Sequence, residues 1–221
     1  MIVADGDVPP RHVLDEAWPG WGDGIETVIA ADGGLVRAGV VGLVPTLVVG
    51  DLDSLDPSLV SEAESAGVRV RRAAVDKDES DAELALLEAL RLGATRVTVL
   101  GALGGSRIDH SLANVWLLAH PAATSVDLQL LDASARISLV TAPGPGGGPV
   151  GRSLPGRVGA LVSLFPVGGD ALGITTTGLR YPLVAEPLLM GAARGLSNVR
   201  ESEDAALTLD HGRLLVVETA T

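Results

Sequence analysis

The stretch DAELALLEALRLGATRVTVLGALGG, residues 81–105, decides the fold. Its first twelve residues, 81–92, put Leu84, Leu87, Glu88 and Arg91 at helical spacing, as on one face of an amphipathic helix. Ser80 or Asp78 is placed to cap the start, Asp81 and Glu83 add negative charge to the first turn, and Gly93 supplies a stop. Residues 96–100, RVTVL, are then β-branched and apolar, as a short strand requires. A glycine-rich turn follows at once, with Gly101, Gly104 and Gly105. Helix, turn, strand and glycine turn make one repeat of an alternating α/β chain.

The same alternation extends over the first 131 residues. Strand-like runs occur at 26–31, 46–50, 68–72, 96–100 and 126–131, with a shorter candidate at 1–4. A second helical pattern occupies 108–119 and stops before Pro121. Strand and helix in this order predict a parallel sheet with helices on both faces. Beyond 131 the helical period fades. Short β-type runs appear at 136–141, 160–165, 173–177, 205–209 and 214–218, and Gly and Pro cluster most densely at 143–149. These predict a small all-β domain built from hairpins, with 143–149 as a hairpin loop. The expected division is an α/β domain over 1–134 and a β domain over 135–221.

Composition narrows the function. The chain has 221 residues, 16 Lys plus Arg against 28 Asp plus Glu, and a net charge of −12. Nucleic-acid binding needs a basic surface, which this charge excludes, and a polybasic membrane-surface protein is excluded on the same ground. An apolar fraction of 47% against 20% charged residues supplies a core and excludes disorder. Cysteine is absent, so there is no disulfide, thiolate metal site or Cys nucleophile, in keeping with a cytoplasmic protein. No signal peptide or membrane-spanning run is read in the sequence. Fifteen of the sixteen basic residues are Arg, and Lys77 is the sole lysine.

The acidic residues follow the expected strands. Asp5 follows the first run, and Asp32-Gly33-Gly34 the second. Gly50-Asp51-Leu52-Asp53-Ser54 follows the third, and Asp76-Lys77-Asp78-Glu79-Ser80-Asp81 lies a few residues after the fourth. Gly101 to Gly105, then Arg107, Asp109 and His110, follow the fifth. In an open parallel sheet ligands bind beyond the carboxyl ends of the strands. Carboxylates gathered there repel one another unless a cation is present, and all-oxygen donors point to Mg²⁺ rather than zinc. The glycine turn can bring backbone N–H groups to a phosphate, and Arg107 can hold phosphate oxygens with two prongs. Together these suggest transfer of a phosphoryl-type group. Each motif alone has a plainer reading: an Asp-Gly turn, a helix cap at Asp51 to Ser54 before Pro57, a solvated helix start at 76–81. The common phosphate loop ending in Gly-Lys-Ser/Thr is absent.

The ordered set resembles the thiamin pyrophosphokinase family. It comprises Ala31-Asp32-Gly33-Gly34, Pro45 through Gly50 to Ser54, Asp76 to Asp81, and Gly104-Gly105-Ser106-Arg107-Ile108-Asp109-His110 through Asn114. Gly178-Leu179-Arg180-Tyr181-Pro182-Leu183 and Ser197-Asn198 complete it. The resemblance implies a Rossmann-like catalytic domain, a C-terminal β-sandwich that binds thiamin, and a homodimer with sites at the interface. The implied reaction moves the pyrophosphoryl group of ATP to the hydroxyl of thiamin, giving thiamin diphosphate and AMP. It implies catalytic roles for Asp32, Asp51, Asp53, Asp76, Asp81 and Asp109, with Asp51, Asp53 and Asp76 at Mg²⁺. ATP and its phosphates fall to Gly33, Gly34, Lys77, Gly104, Gly105 and Arg107, and thiamin to Ser80, Ser197 and Asn198. Pyrophosphoryl transfer to another alcohol, such as a hydroxymethyl pterin, and a non-catalytic nucleotide or thiamin-diphosphate sensor are the competing readings.

Overall fold

The computed structural model describes residues 1–144 and 146–221. Its first unit, Met1–Ala133, contains six strands: β1 (Ile2–Val3), β2 (Ile29–Ala31), β3 (Leu47–Gly50), β4 (Arg69–Arg72), β5 (Arg96–Leu100) and β6 (Asp127–Leu131). They lie in the order β6-β5-β1-β2-β3-β4, and every pairing is parallel. The connections carry helices α1 (Arg11–Ala17), α2 (Gly34–Val40), α3 (Pro57–Ser65), α4 (Asp81–Arg91) and α5 (Ile108–Leu117). Central strands are buried along their length, as in Ile2, Val3, Ile29, Ala30 and Val48, because helices cover both faces. β4 is an edge strand and carries Arg69, Arg71 and Arg72; charge there discourages pairing with another chain.

The decisive stretch folds as expected, with one change of face. Ser80 caps α4 by accepting a hydrogen bond from the Glu83 N–H at 3.2 Å. The buried side is Ala82, Ala85, Leu86, Glu88 and Ala89 rather than one led by Leu84 and Leu87. Three of these side chains are alanine, and Leu84 and Leu87 lie half-buried beside them. The buried Glu88 carboxylate accepts from Arg91 at 2.9 Å and pairs with Arg71 of β4. Helices α1, α2 and α3 carry no expectation from periodicity: α1 and α2 have seven residues each, too few turns to display a repeat. α3 is capped by Asp56, whose Oδ1 accepts from the Ser58 N–H at 2.9 Å, with Pro57 in the first turn. The cap is therefore not drawn from Asp51 to Ser54.

Strand order reverses at β1. The chain builds β2, β3 and β4 outward on one side of it, then returns to lay β5 and β6 on the other. A reversal of this kind leaves a crevice beyond the carboxyl ends of the two strands that meet there. α2 starts directly against β1. A Cβ on Gly34 would fall on the Val3 carbonyl oxygen, so only glycine lets the helix enter at this distance.

The second unit, Ser134–Thr221, holds β7 (Ala135–Ala142), β8 (Val150–Pro155), β9 (Leu161–Pro166), β10 (Ala171–Thr177), β11 (Glu186–Leu188), β12 (Asn198–Val199), β13 (Asp204–Leu209) and β14 (Gly212–Thr219). They form two antiparallel sheets, β12-β9-β14-β7 and β11-β10-β13-β8. Their inner faces enclose Leu154, Val162, Ile174, Leu207, Leu214 and Val216. The β character is as expected, and β10 and β11 pair as consecutive antiparallel strands, but most other neighbours in sequence do not. Consecutive strands β7 and β8, β9 and β10, and β13 and β14 belong to opposite sheets. The 143–149 segment therefore carries the chain from one sheet to the other instead of closing a hairpin. Its described residues turn tightly, Gly144 accepting from the Gly147 N–H at 2.8 Å; Pro145 lies outside the described residues. Alternating burial tells which face of a strand points inward but not which strand lies beside it.

Between these sheets lies an ionic staple. Glu218 on β14 is 3% exposed, and its carboxylate accepts from Arg200 at 2.8 Å and from Arg136 at 2.9 and 3.0 Å. Arg200, 1% exposed, also donates to the Leu154 carbonyl of β8, and Arg136 donates to the Pro155 carbonyl at 3.0 Å. Each arginine thus ties β14 of one sheet to β8 of the other. Glu218→Ala leaves two guanidiniums without their carboxylate, and removing one partner of a buried pair costs about 3–5 kcal/mol. Urea unfolding followed by circular dichroism should show a loss of that size; an unchanged transition would refute the staple.

Candidate active site

The end of β1 and the end of β5 are joined by main chain. The Gly6 N–H donates to the Gly101 carbonyl at 2.9 Å, and the Asp7 N–H donates to the Leu103 carbonyl at 2.9 Å. From the other side, the buried Asn114 of α5 donates to the Ala102 carbonyl at 2.8 Å, and the Ser111 hydroxyl to the Gly104 carbonyl at 3.3 Å. The glycine turn is thus fixed from both flanks. Gly104 has a φ of +77°, and a Cβ there would run into the Asp7 carboxylate. The Gly105 N–H donates to Asp7 Oδ2 at 3.0 Å.

Asp32 follows β2 with a φ of +46°, an uncommon conformation outside glycine that asparagine and aspartate tolerate best. Its N–H donates to the Val49 carbonyl at 2.9 Å. Its Oδ2 accepts from the Ser54 hydroxyl at 2.5 Å, and its Oδ1 is buried without a partner. Gly33 lies against the Asp5 carboxylate, which Arg37 of α2 holds at 3.2 Å. Gly33 and Gly34 therefore serve close packing around the start of α2.

The loop after β3 presents two carboxylates. Leu52, between them, has a φ of +62°, and the Asp53 N–H donates to Asp51 Oδ1 at 3.2 Å. That backbone hydrogen bond lowers the Asp51 pKa, with help from the charge of Lys77 and against the effect of partial burial. Asp53 shifts the other way: the negative charge of Asp51 raises it, and Asp32 and Asp81 add to the effect. Lys77 reaches into this group, donating to Asp81 Oδ1 at 2.7 Å and lying 3.6 Å from Asp51 Oδ2. Burial acts to lower the lysine pKa, but Asp81 and Asp51 outweigh it and the net shift is upward. Asp32, Asp51, Asp53, Asp81 and Lys77 thus share one electrostatic environment.

The remaining expected residues are placed differently. Asp76 is exposed on the loop before Lys77. Among the described residues no three His, Asp or Glu side chains converge closely enough to hold a metal ion. The Asp51 and Asp53 pair still suits a hard cation, since Mg²⁺ commonly takes one or two protein carboxylates and fills the rest of its shell with phosphate and water. Arg107 and Asp109 face each other, with Nε to Oδ1 at 2.9 Å and the terminal nitrogen to Oδ2 at 2.6 Å. The Arg107 hydrogen bonds hold the Asp109 carboxyl down at about 2. The Ser80 hydroxyl oxygen is engaged as the α4 cap.

In the second unit, Ser197 has a φ of +56° and donates its N–H to the Ser163 hydroxyl at 3.0 Å. Asn198 grips the Tyr181 backbone: Oδ1 accepts from its N–H at 3.0 Å and Nδ2 donates to its carbonyl at 2.8 Å. Oδ1 also accepts from the Val199 N–H at 2.9 Å. Asn198 is therefore a clamp on the loop that carries the exposed Tyr181 ring, rather than an open amide. Asp7, Ser54, Asn114 and Ser163 were not among the expected site residues. Asp7 stands two places after Asp5 at the same strand end, and Asn114 closes the motif that begins at Gly104; those were the available signals.

Comparison with known proteins now has geometry to refer to. The family model for thiamin pyrophosphokinase, catalytic domain, matches residues 23–130. The model for thiamin pyrophosphokinase, vitamin B1 binding domain, matches residues 154–214. A thiamine pyrophosphokinase of Bacillus subtilis is 27% identical over 218 residues, covering 99% of this chain and 97% of that protein. The crystal structure of thiamine pyrophosphokinase from Bacillus subtilis superposes with a TM-score of 0.82 at 26% identity, over 99% of this chain and 97% of that one. A thiamin pyrophosphokinase family protein from Enterococcus faecalis gives 0.80 at 26% identity, over 99% and 97%. Thiamin pyrophosphokinase from Candida albicans, at 16% identity, shares the fold with a TM-score of 0.75 over 99% of this chain and 88% of that one. With both domain models matched in order along most of its length, the chain belongs to the thiamin pyrophosphokinase family.

Proposed function

We propose that this chain transfers the pyrophosphoryl group of ATP to the hydroxyl of thiamin, releasing thiamin diphosphate and AMP. The observation that carries the reading is the shared cluster of Asp32, Asp51, Asp53, Asp81 and Lys77 at the carboxyl edge of the sheet, inside the stretch matched by the catalytic-domain model. The acceptor oxygen forms a bond to the β-phosphorus, the bond from that phosphorus to the α,β-bridging oxygen breaks, and AMP leaves with the bond's electron pair. The hydroxyl gives up its proton in the same process. Asp51 and Asp53 would hold Mg²⁺, with Asp76 on the adjacent loop as a further donor. When bound, the ion supplies a hard Lewis acid for phosphate oxygens.

The chain's own residues position and neutralise. Lys77 places an ammonium among the acids, where phosphate oxygens can share it. Arg107 has the forked geometry for a phosphate and exchanges Asp109 for it. Asp32 is fixed by Ser54 and keeps one buried oxygen free of protein partners. Gly104 and Gly105 offer backbone to the phosphates, and Gly33 and Gly34 let β1 and α2 approach closely enough to form the edge. Ser80, Ser197 and Asn198 are assigned to thiamin, Asn198 through the Tyr181 loop it clamps. Charge held ready in a fixed frame is the main source of rate in phosphoryl transfer.

A homodimer and a cytoplasmic location belong to the same proposal. On α5, directly after Arg107, Ile108, Leu112 and Trp116 stand at four-residue intervals and are exposed at 74%, 55% and 55%. Such a stripe on a helix is a contact face for another surface, and a second copy is the partner we assign. Among the described residues no helix is long and apolar enough to cross a membrane.

Incubation with ATP, Mg²⁺ and thiamin should give AMP and thiamin diphosphate in equal amounts and stop on chelation; ADP as product, or faster turnover of a pterin alcohol, would overturn the assignment. Tight nucleotide binding without AMP would favour a sensor. Asp51→Asn and Asp53→Asn should each lower turnover by about 10²- to 10³-fold, the scale of removing one preorganised electrostatic group; near-normal rates in both would remove them from the metal site. Light scattering should report twice the 22.5 kDa chain mass, and Leu112→Glu with Trp116→Glu should halve it. A wild-type mass of one chain would remove the dimer.

A further inference from the structure

Two anion donors of the 101–107 loop, the Gly105 N–H and Arg107, are met by carboxylates of the chain itself. Arg107 gives its fork to Asp109, two residues away. The second contact spans 98 residues: the Gly105 N–H donates to Asp7 Oδ2 at 3.0 Å. It is braced from both sides. The Gly6 and Asp7 N–H groups donate to the Gly101 and Leu103 carbonyls, each at 2.9 Å, and the missing Cβ of Gly104 leaves the space that the Asp7 side chain fills. Gly104 and Gly105 are successive residues with φ of +77° and +73°. Successive turn residues of this kind can form a concavity whose N–H groups suit an anion. Asp7 is the anion at this one, and it stands at the strand-order reversal between β1 and β5, where open α/β sheets take their ligands.

We infer that Asp7 is an internal competitor for phosphate. Its carboxylate takes the Gly105 N–H that a phosphate oxygen needs, and it swings out when phosphate binds. The inference rests on the reading of this loop as the phosphate loop. It assigns Asp7 a role in setting nucleotide affinity, not in the transfer itself. Asp7 is exposed, so its side chain can leave without opening the core. A brace and a competitor differ in sign. If Asp7 only holds the loop in shape, weakening it loosens anion binding. If it competes, removing its charge tightens anion binding.

The test uses the full chain and inorganic tripolyphosphate, titrated calorimetrically. Asp7→Asn keeps an oxygen that can accept from Gly105 but removes the charge, and a charge-assisted hydrogen bond is roughly twice as strong as a neutral one. Tripolyphosphate should bind D7N more tightly than wild type by about threefold to tenfold. Asp23→Asn, an exposed acid before β2 and so at the opposite edge of the sheet, controls for net charge and should leave the affinity unchanged. Binding to D7N no tighter than to wild type, or equal tightening in D23N, would overturn the inference. Tripolyphosphate binding requires no acceptor alcohol. Failure of wild type to form AMP therefore counts against the proposed function, and the D7N titration is read separately.

Discussion

At the end of β1, main chain packs on main chain. The Val3 carbonyl lies where a Gly34 side chain would be, and the next backbone amides, Gly6 and Asp7, bond to the carbonyls of the loop after β5. No side chain fits between these segments. α2 therefore starts beside β1, and the glycine turn is pulled to the same point. The strand ends that bear Asp5, Asp32 and Asp51 are carried to one edge. In a parallel sheet with helical crossovers all carboxyl ends already face one way; the tight packing decides how near to each other their loops lie.

That edge and the sandwich treat charge in opposite ways. Around Glu218 two guanidiniums surround one buried carboxylate, and both sheets are bound by the arrangement. Around Lys77 one ammonium stands among several carboxylates: the Asp53 backbone hydrogen bond lowers the Asp51 pKa, while the negative charge of Asp51 raises that of Asp53. The first arrangement is closed, with both guanidiniums paired to the one carboxylate inside the protein. The second is under-compensated, as sites prepared for cationic or phosphate-bearing ligands are. Local unfavourable electrostatics in a fold that is otherwise consistent mark function rather than stability.

The sequence was legible where a physical signal repeats. The long helix at 81–91, its Ser80 cap and the buried strand at 96–100 each have a period or a composition that admits few alternatives. α1 and α2 are short, and α3 starts from Asp56 rather than from the more conspicuous acids nearby. In the second unit the strands were visible and their partners were not, because partner choice depends on crossings between sheets. In the candidate site, the grouping of Asp51, Asp53, Lys77 and Asp81 could be expected because acidic motifs follow strand ends. Asp7, Asn114 and Ser163 act by holding backbone groups of distant residues, and no local pattern announces that. Asn198 was visible as a motif, but its hold on Tyr181 needed the fold.

Fifteen arginines and one lysine give Lys77 a distinctive spectroscopic position. If lysine alone is labelled with ¹⁵N at its side-chain amine, a single ammonium group reports for the whole molecule. That group sits 2.7 Å from Asp81 and 3.6 Å from Asp51. Its resonance is an intrinsic probe of the acidic edge, free of overlap, and it can follow the arrival of a nucleotide or a cation without any foreign tag. The near-total preference for arginine elsewhere thus makes the chemistry of this one edge separately observable.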